Sequence, residues 1–314
     1  MLMSHTVISP QKKATIVSSS VATLLVVVKL FIGITSGSVA VLASAIDSLL
    51  DTLVSLFNFF AIKKSEENPN EEYHYGKGKI QAIAAVIEGT VITISGIYII
   101  YEAIKKFNSG TTTSLLTPSI LAMLFSIVVT YFLVQYLLKI AKETDNLVIR
   151  SDALHYQTDL WSNGAVLVAL VLVYLSGVDA IDALFGLGIG LYIIYSAYEI
   201  IEEGIEILLD KALEGEVVAS IGEIISKHPE VNSYHWLKTR TDGTTNFIEF
   251  HLVLRPNMLL IEAHRIAEEV EDEIMLLQPQ KKWAITPHFD PYDDEEMNNT
   301  LFLGKPLVEN ESKR

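Results

Sequence analysis

Residues 43–51 read Ala43-Ser44-Ala45-Ile46-Asp47-Ser48-Leu49-Leu50-Asp51 and sit inside an apolar run from 39 to 62. A helix of ~20 such residues crosses the ~30 Å hydrocarbon core of a bilayer. Asp47 and Asp51 stand four apart, so a helix presents both carboxylates on one face. An ionised group at membrane depth costs roughly 2.5–3.5 kcal/mol on insertion scales. A pair of them marks either a capping or hydrogen-bonding role near a helix end, or a place where cations are collected.

A second apolar run repeats the spacing. Within Leu154-His155-Tyr156-Gln157-Thr158-Asp159, His155 and Asp159 share a helix face. One buried histidine is commonly a satisfied core residue, but two matched pairs on separate spans weigh against accident. If the two faces meet, three carboxylates and one imidazole make a four-ligand set suited to tetrahedral coordination. Mixed oxygen and nitrogen ligands favour Zn²⁺, with Cd²⁺, Fe²⁺ and Mn²⁺ as competitors. The chain has no cysteine, so neither a disulfide nor a thiolate site is available. Glu88, in a third run, stands alone and reads as a helix-packing or interfacial residue.

The wider composition fits a membrane chain. Half of the 314 residues are hydrophobic, mean hydropathy is +0.36, and the apolar residues come in long runs. These cover approximately 14–35, 39–62, 80–104, 119–140, 153–176 and 181–201, with Gly37-Ser38, Pro69 to Gly76, and Gly177 to Asp179 among the breaks. Residues 14–212 therefore read as an all-α six-helix transmembrane domain. Residues 1–13 read as a polar cytosolic tail without a cleavable signal. Lys12, Lys13, Lys63, Lys64, Lys77, Lys79, Lys139, Lys142 and Arg150 fall on one side, against Lys105 and Lys106 on the other. The positive-inside bias places both termini in the cytoplasm. Lys29 is expected to snorkel to the outer interface. A net charge of −15 with few basic residues excludes a nucleic-acid partner.

Beyond residue 212 the pattern becomes that of a soluble domain, 213–291, ordered helix (216–227), strand (232–241), strand (246–254), helix (259–277), strand (283–288). This is an α+β order. Residues 292–314 carry Asp293-Asp294-Glu295-Glu296 and read as a disordered, solvated acidic tail. His5 and His228 read as exposed residues without partners.

Several motifs together resemble the cation diffusion facilitator family, in particular its bacterial YiiP-type zinc and iron efflux members. They are Gly37-Ser38-Val39-Ala40 leading to Asp47 and Asp51, Tyr75-Gly76-Lys77-Gly78-Lys79, His155 with Asp159, Asp182-Ala183-Leu184-Phe185, and Leu208-Leu209-Asp210-Lys211-Ala212-Leu213. The resemblance runs from about residue 12 to 291. It implies a homodimer in the cell inner membrane that exports a divalent metal in exchange for protons. Asp47, Asp51, His155 and Asp159 would form the transport site. It also implies a ferredoxin-like, metallochaperone-like cytosolic domain in which His235, His251, His264, His288 and Asp290 hold zinc. Lys79 is implied to pair with Asp210 near the dimer interface. Relatives often carry a further zinc site in the loop after the second span, built from an aspartate and two histidines. Here those positions hold Asn70, Tyr73 and Lys77, which implies its absence, and His74 reads as a solvated loop residue. Two other classes stay open on the residues alone: a membrane-embedded zinc hydrolase, for which no His-Glu-x-x-His run exists, and a passive metal channel or sensor.

Overall fold

The computed structural model describes residues 9–36, 39–109, 117–176 and 180–294. His5, residues 37–38 and 177–179, and the acidic stretch from 295 onward lie outside the described residues. The chain divides into two compact units, Met1–Leu208 and Leu209–Arg314.

The first unit holds six long helices: α1 (Pro10–Ser36), α2 (Val39–Ser65), α3 (Ile80–Ser109), α4 (Thr117–Thr144), α5 (Leu147–Ser176) and α6 (Ala180–Leu208). Among the described residues, four stretches are long and apolar enough to cross a membrane by composition alone, lying on α1, α3, α4 and α6. The helices not among them are α2, with Asp51, Lys63 and Lys64, and α5, with Arg150, Asp152, His155 and Asp159.

Small residues let α3 and α6 approach closely, as is usual where helices meet in lipid. A Cβ on Gly190 would stand 2.5 Å from Ile100 Cγ1 and 3.0 Å from the Gly96 carbonyl. Elsewhere Leu137, Ile149, Ile62 and Tyr156 pack one core, and Ile92, Ile193 and Ile200 another. Asp145 takes a left-handed φ of 48° to end α4. Asn146 then caps α5, its Oδ1 accepting from the Ile149 N–H at 3.1 Å. Its amide donates to Gln81 at 2.8 Å, and Gln81 donates to Ser65 at 2.6 Å, joining the ends of α2, α3 and α5.

Lys29 does not snorkel: its ammonium donates to Ser48 Oγ on α2 at 2.8 Å. A nearly buried hydroxyl on the neighbouring helix satisfies it, which correction places this cation between α1 and α2.

The second unit runs α7 (Gly215–Lys227), β1 (Ser233–Thr241), β2 (Thr245–Val253), α8 (Leu260–Met275) and β3 (Lys282–Asp290). The sheet order is β1-β2-β3, with β1 antiparallel and β3 parallel to the central β2. A parallel neighbour needs a crossover, which α8 supplies. Ile248, Phe250 and Leu252 point from β2 toward Ile221, Ile225, Ile266 and Val270 on the helices. Strand alternation then sends His251 to the opposite, helix-free face. At the β1–β2 turn, Asp242 Oδ1 accepts from the N–H groups of Thr244 and Thr245, beside Gly243 at φ 93°. His228 is not exposed: it bonds Glu269 of α8 at 3.1 Å, with its side chain 9% exposed.

Candidate metal centres

In the first unit α2 supplies Asp51 and α5 supplies His155 and Asp159. His155 Nε2 lies 3.0 Å from Asp51 Oδ1. One ligand atom from each of the three groups lies within 4.8 Å of the others. Asp47 stands one turn before Asp51 on α2, but its side chain lies outside the described residues. The i, i+4 spacing read from the sequence explains why His155 and Asp159 point the same way. Two carboxylates and an imidazole, partly buried, suit a borderline dication.

Beneath that cluster lies a polar layer that the sequence reading missed. Asn58, Glu88 and Asp152 are buried at 0, 2 and 0% exposure and joined by hydrogen bonds. Asp152 lies one residue before the fifth apolar run, and Asn58 is flanked by Phe57, Phe59 and Phe60, so neither stands out along the chain. Of the two roles read for Glu88, the structure fits helix packing: it is buried and bonded to Asn58 of α2.

In the second unit three histidines form one row across the sheet. His235 pairs in register with His251, and His251 with His288. Their rings stand 4.9 and 4.5 Å apart. A bulge between His235 and Lys238, with Trp236 at φ 57°, bends β1 at this point. Asp290, two residues after His288, approaches all three: 2.7 Å to His251, 3.3 Å to His288 and 3.4 Å to His235.

The start of the acidic tail joins this centre, contrary to the expectation that it is merely solvated. Asp294 Oδ1 lies 3.0 Å from His235 Nε2, and Asp293 Oδ1 lies 3.6 Å from Nδ1. Among the described residues, His235, His251, Asp290 and Asp294 form a group with ligand atoms within 4.8 Å of one another. Because β3 ends at Asp290 against the His row, the next four residues turn back over it. The His235 side chain is fully buried, yet neither ring nitrogen has a hydrogen-bond partner. A buried imidazole with both nitrogens unbonded and carboxylates close by suits a metal ligand.

His264 is not in this group. It sits on the exposed side of α8, its Nε2 3.4 Å from Glu268 one turn on, because the adjacent Ala263, Ile266 and Ala267 take the inward face. Lys79 donates to the Leu208 carbonyl at 3.3 Å in the first unit, and Asp210 accepts from Arg240 at 3.3 Å in the second.

In the loop after α2, Lys77 stands where the resemblance would place a metal ligand. Lys77 lies 3.3 Å from Glu67 and 4.6 Å from the Tyr73 ring centroid. Asn70 Oδ1 accepts from the N–H groups of Glu72 and Tyr73, folding the loop locally. His74 bonds the Glu71 carbonyl at 3.1 Å. Hydrogen bonds from Lys64 and Lys77 hold the Glu67 carboxyl below its ordinary range.

Residues 15–209 match the family model for the cation efflux transmembrane domain, and residues 213–292 the model for the cation efflux protein cytoplasmic domain, designated ZT_dimer. The chain belongs to the cation efflux family. It is 37% identical over 279 residues to the cation-efflux pump FieF of Citrobacter koseri, and 36% to that of Cronobacter sakazakii. It is 34% identical to that of Escherichia coli O1:K1 / APEC. Each match covers 89% of this chain and 92% of the relative. This cation efflux chain is a multi-pass membrane transporter and not an enzyme, and the hydrolase alternative falls. The cytoplasmic match suggests dimerisation.

Proposed function

We propose that this protein exports a divalent transition metal, Zn²⁺ foremost, from the cytoplasm in exchange for protons. Cd²⁺ and Fe²⁺ are the competing cargoes. The observation that carries the reading is the meeting of Asp51, His155 and Asp159 from two helices of a cation efflux transmembrane unit. Asp47 completes the set from the turn before Asp51.

Metal ligands must be deprotonated, so the cargo and protons compete for the same atoms. The 3.0 Å bond between His155 and Asp51 must open before imidazole nitrogen and carboxylate oxygen both face the cargo. On the cytoplasmic side the cargo displaces protons from these ligands; on the far side protons displace the cargo. Alternating access of α2 and α5 moves the site between the two waters. The chain works as a homodimer in the cell inner membrane with both termini cytoplasmic. In the cytoplasmic unit His235, His251, Asp290 and Asp294 would hold a resident metal ion, with His288 and His264 offering nitrogen toward a second.

The test uses purified protein in sealed vesicles carrying a pH gradient. Asp51→Ala is expected to abolish gradient-driven Zn²⁺ uptake. Wild-type rates from that variant would end the reading, and uptake insensitive to the gradient would favour a passive channel.

A further inference from the structure

Glu88 on α3, Asn58 on α2 and Asp152 on α5 meet in the interior of the first unit. The Asn58 amide donates to Glu88 Oε2 at 3.0 Å and to Asp152 Oδ1 at 3.4 Å. Ser55 Oγ lies 3.5 Å from Asp152 Oδ1 and 2.8 Å from the Tyr156 hydroxyl. The remaining oxygens, Glu88 Oε1 and Asp152 Oδ2, are buried without a hydrogen-bond partner, as is Asn58 Oδ1.

A buried charge persists when it is paired and hydrogen-bonded. Here two carboxyl groups converge on one amide, and each keeps a bare oxygen. Two negative charges cannot be held so closely on so few donors, and like carboxyls in one site settle this by sharing a proton. The other titratable groups around the pair are His155, Tyr156 and, beyond them, Asp159 on α5 and Asp51 on α2; the Ser151 hydroxyl of α5 also faces Glu88. From α1 comes the Ser18 hydroxyl. From α4 come aliphatic side chains, Val134 and Leu137, and from α6 Ala197 and Ile201, packed at Gly89.

We propose that Glu88 and Asp152 form a proton-holding site, separate from the metal cluster, in which the two carboxyl groups share one proton. Such a site presupposes the antiport reading above and gives the counter-ion a station of its own. Asp152 precedes His155 by one helical turn, while Ser55 and Asn58 follow Asp51 by one and two turns. A dication at the cluster therefore favours the doubly ionised pair. The shared proton leaves to water on the side from which the metal came, and the pair regains one from the other side once the metal has gone. The charge of the cargo is thereby partly offset by an added negative charge close by.

The experiment counts protons released per zinc bound by full-length protein in detergent, in weak buffer with a pH indicator, with bound zinc measured in the same sample. Glu88→Gln is expected to release about one proton fewer per zinc than wild type, and Asp152→Asn the same. The double variant should also lose only about one, because the pair shares a single proton. An unchanged count in Glu88→Gln, or losses that add in the double variant, overturns the site. If the variants fail to fold, infrared difference spectra of wild type carrying 13C-carboxyl glutamate decide, because the metal ligands of the first unit include no glutamate: an isotope-shifted protonated-carboxyl band lost on zinc addition supports the site, and the absence of any such change overturns it. The two readings fail separately. Gradient-driven uptake persisting in Asp51→Ala removes the antiport reading, whereas loss of uptake there with a full proton count in Glu88→Gln removes this site alone.

Discussion

Gly190 and Gly188 sit two residues apart on α6, and the structure predicts opposite outcomes for the same substitution. A Cβ at Gly190 would meet Ile100 Cγ1 at 2.5 Å and the Gly96 carbonyl at 3.0 Å; one at Gly188 has nothing within 4 Å. The first distance is one that real Cβ atoms do not adopt, and the backbone oxygen behind it cannot rotate aside as a side chain can. Gly190→Ala therefore forces α3 and α6 apart, at a cost typical of overpacking, about 1–3 kcal/mol. Gly188→Ala meets no obstacle and gains up to ~1 kcal/mol of helix propensity. Gly190→Ala gains the same propensity, which cancels in the comparison, so the two variants should differ by the overpacking cost alone, roughly 1–3 kcal/mol. Unfolding of the full-length protein in mild detergent, followed by far-UV circular dichroism against denaturant, measures the difference. Equal stability of the two variants, or a more stable Gly190→Ala, would refute the close approach of these helices.

Three other outcomes follow from the geometry. Zinc at 100 times its Kd should stabilise the second unit by about 2.7 kcal/mol in wild type and lose most of that in His251→Ala; Trp236, whose ring is 5.2 Å from His251, reports the transition by fluorescence. Restoring Asn70→Asp, Tyr73→His and Lys77→His together should add one bound zinc per protomer by equilibrium dialysis, since the resident ammonium is then gone; an unchanged stoichiometry would show that the loop cannot form the site. The Glu67 carboxyl, held low by Lys64 and Lys77, contributes its ion pairs at and above its ordinary pKa of 4.5 and loses them only as pH falls through the lowered value, so amide protection of residues 70–78, measured as exchange relative to the intrinsic rate at each pH, should drop below that pH and not above it.

The sequence reading succeeded where a period fixes direction. The i, i+4 pairing of His155 and Asp159 and the alternation along β2 left few ways for those side chains to point. It failed where a neighbour decides. Asp152 and Asn58 are unremarkable along the chain, and only the crossing of α2, α3 and α5 turns them into one polar layer with Glu88. Lys29 looked free to reach an interface because its partner, Ser48, lies on another helix. Asp294 was lost for a different reason: composition describes the average solvation of 292–314, whereas the position of its first residues is set by where β3 stops. His228 was misread likewise, since Glu269 lies 41 residues away.

The two candidate metal centres are built on different principles, and their affinities should differ accordingly. In the second unit the three histidines are register partners on hydrogen-bonded strands, so their spacing is fixed by the sheet before any ion arrives. The buried, unbonded His235 gives up no hydrogen bond to take a metal. In the first unit the ligands come from two separate helices that no backbone hydrogen bonds join, so ordering them costs more; a His–Asp bond that binding must open is common to both centres, His155–Asp51 at 3.0 Å and His251–Asp290 at 2.7 Å. That added cost weakens the site. Weak binding is what a transport site needs, because a cargo held too tightly cannot leave on the far side. Stepwise chelation of zinc-loaded protein should therefore empty the first unit before the second. The reverse order would mean that the cytoplasmic cluster does not retain metal.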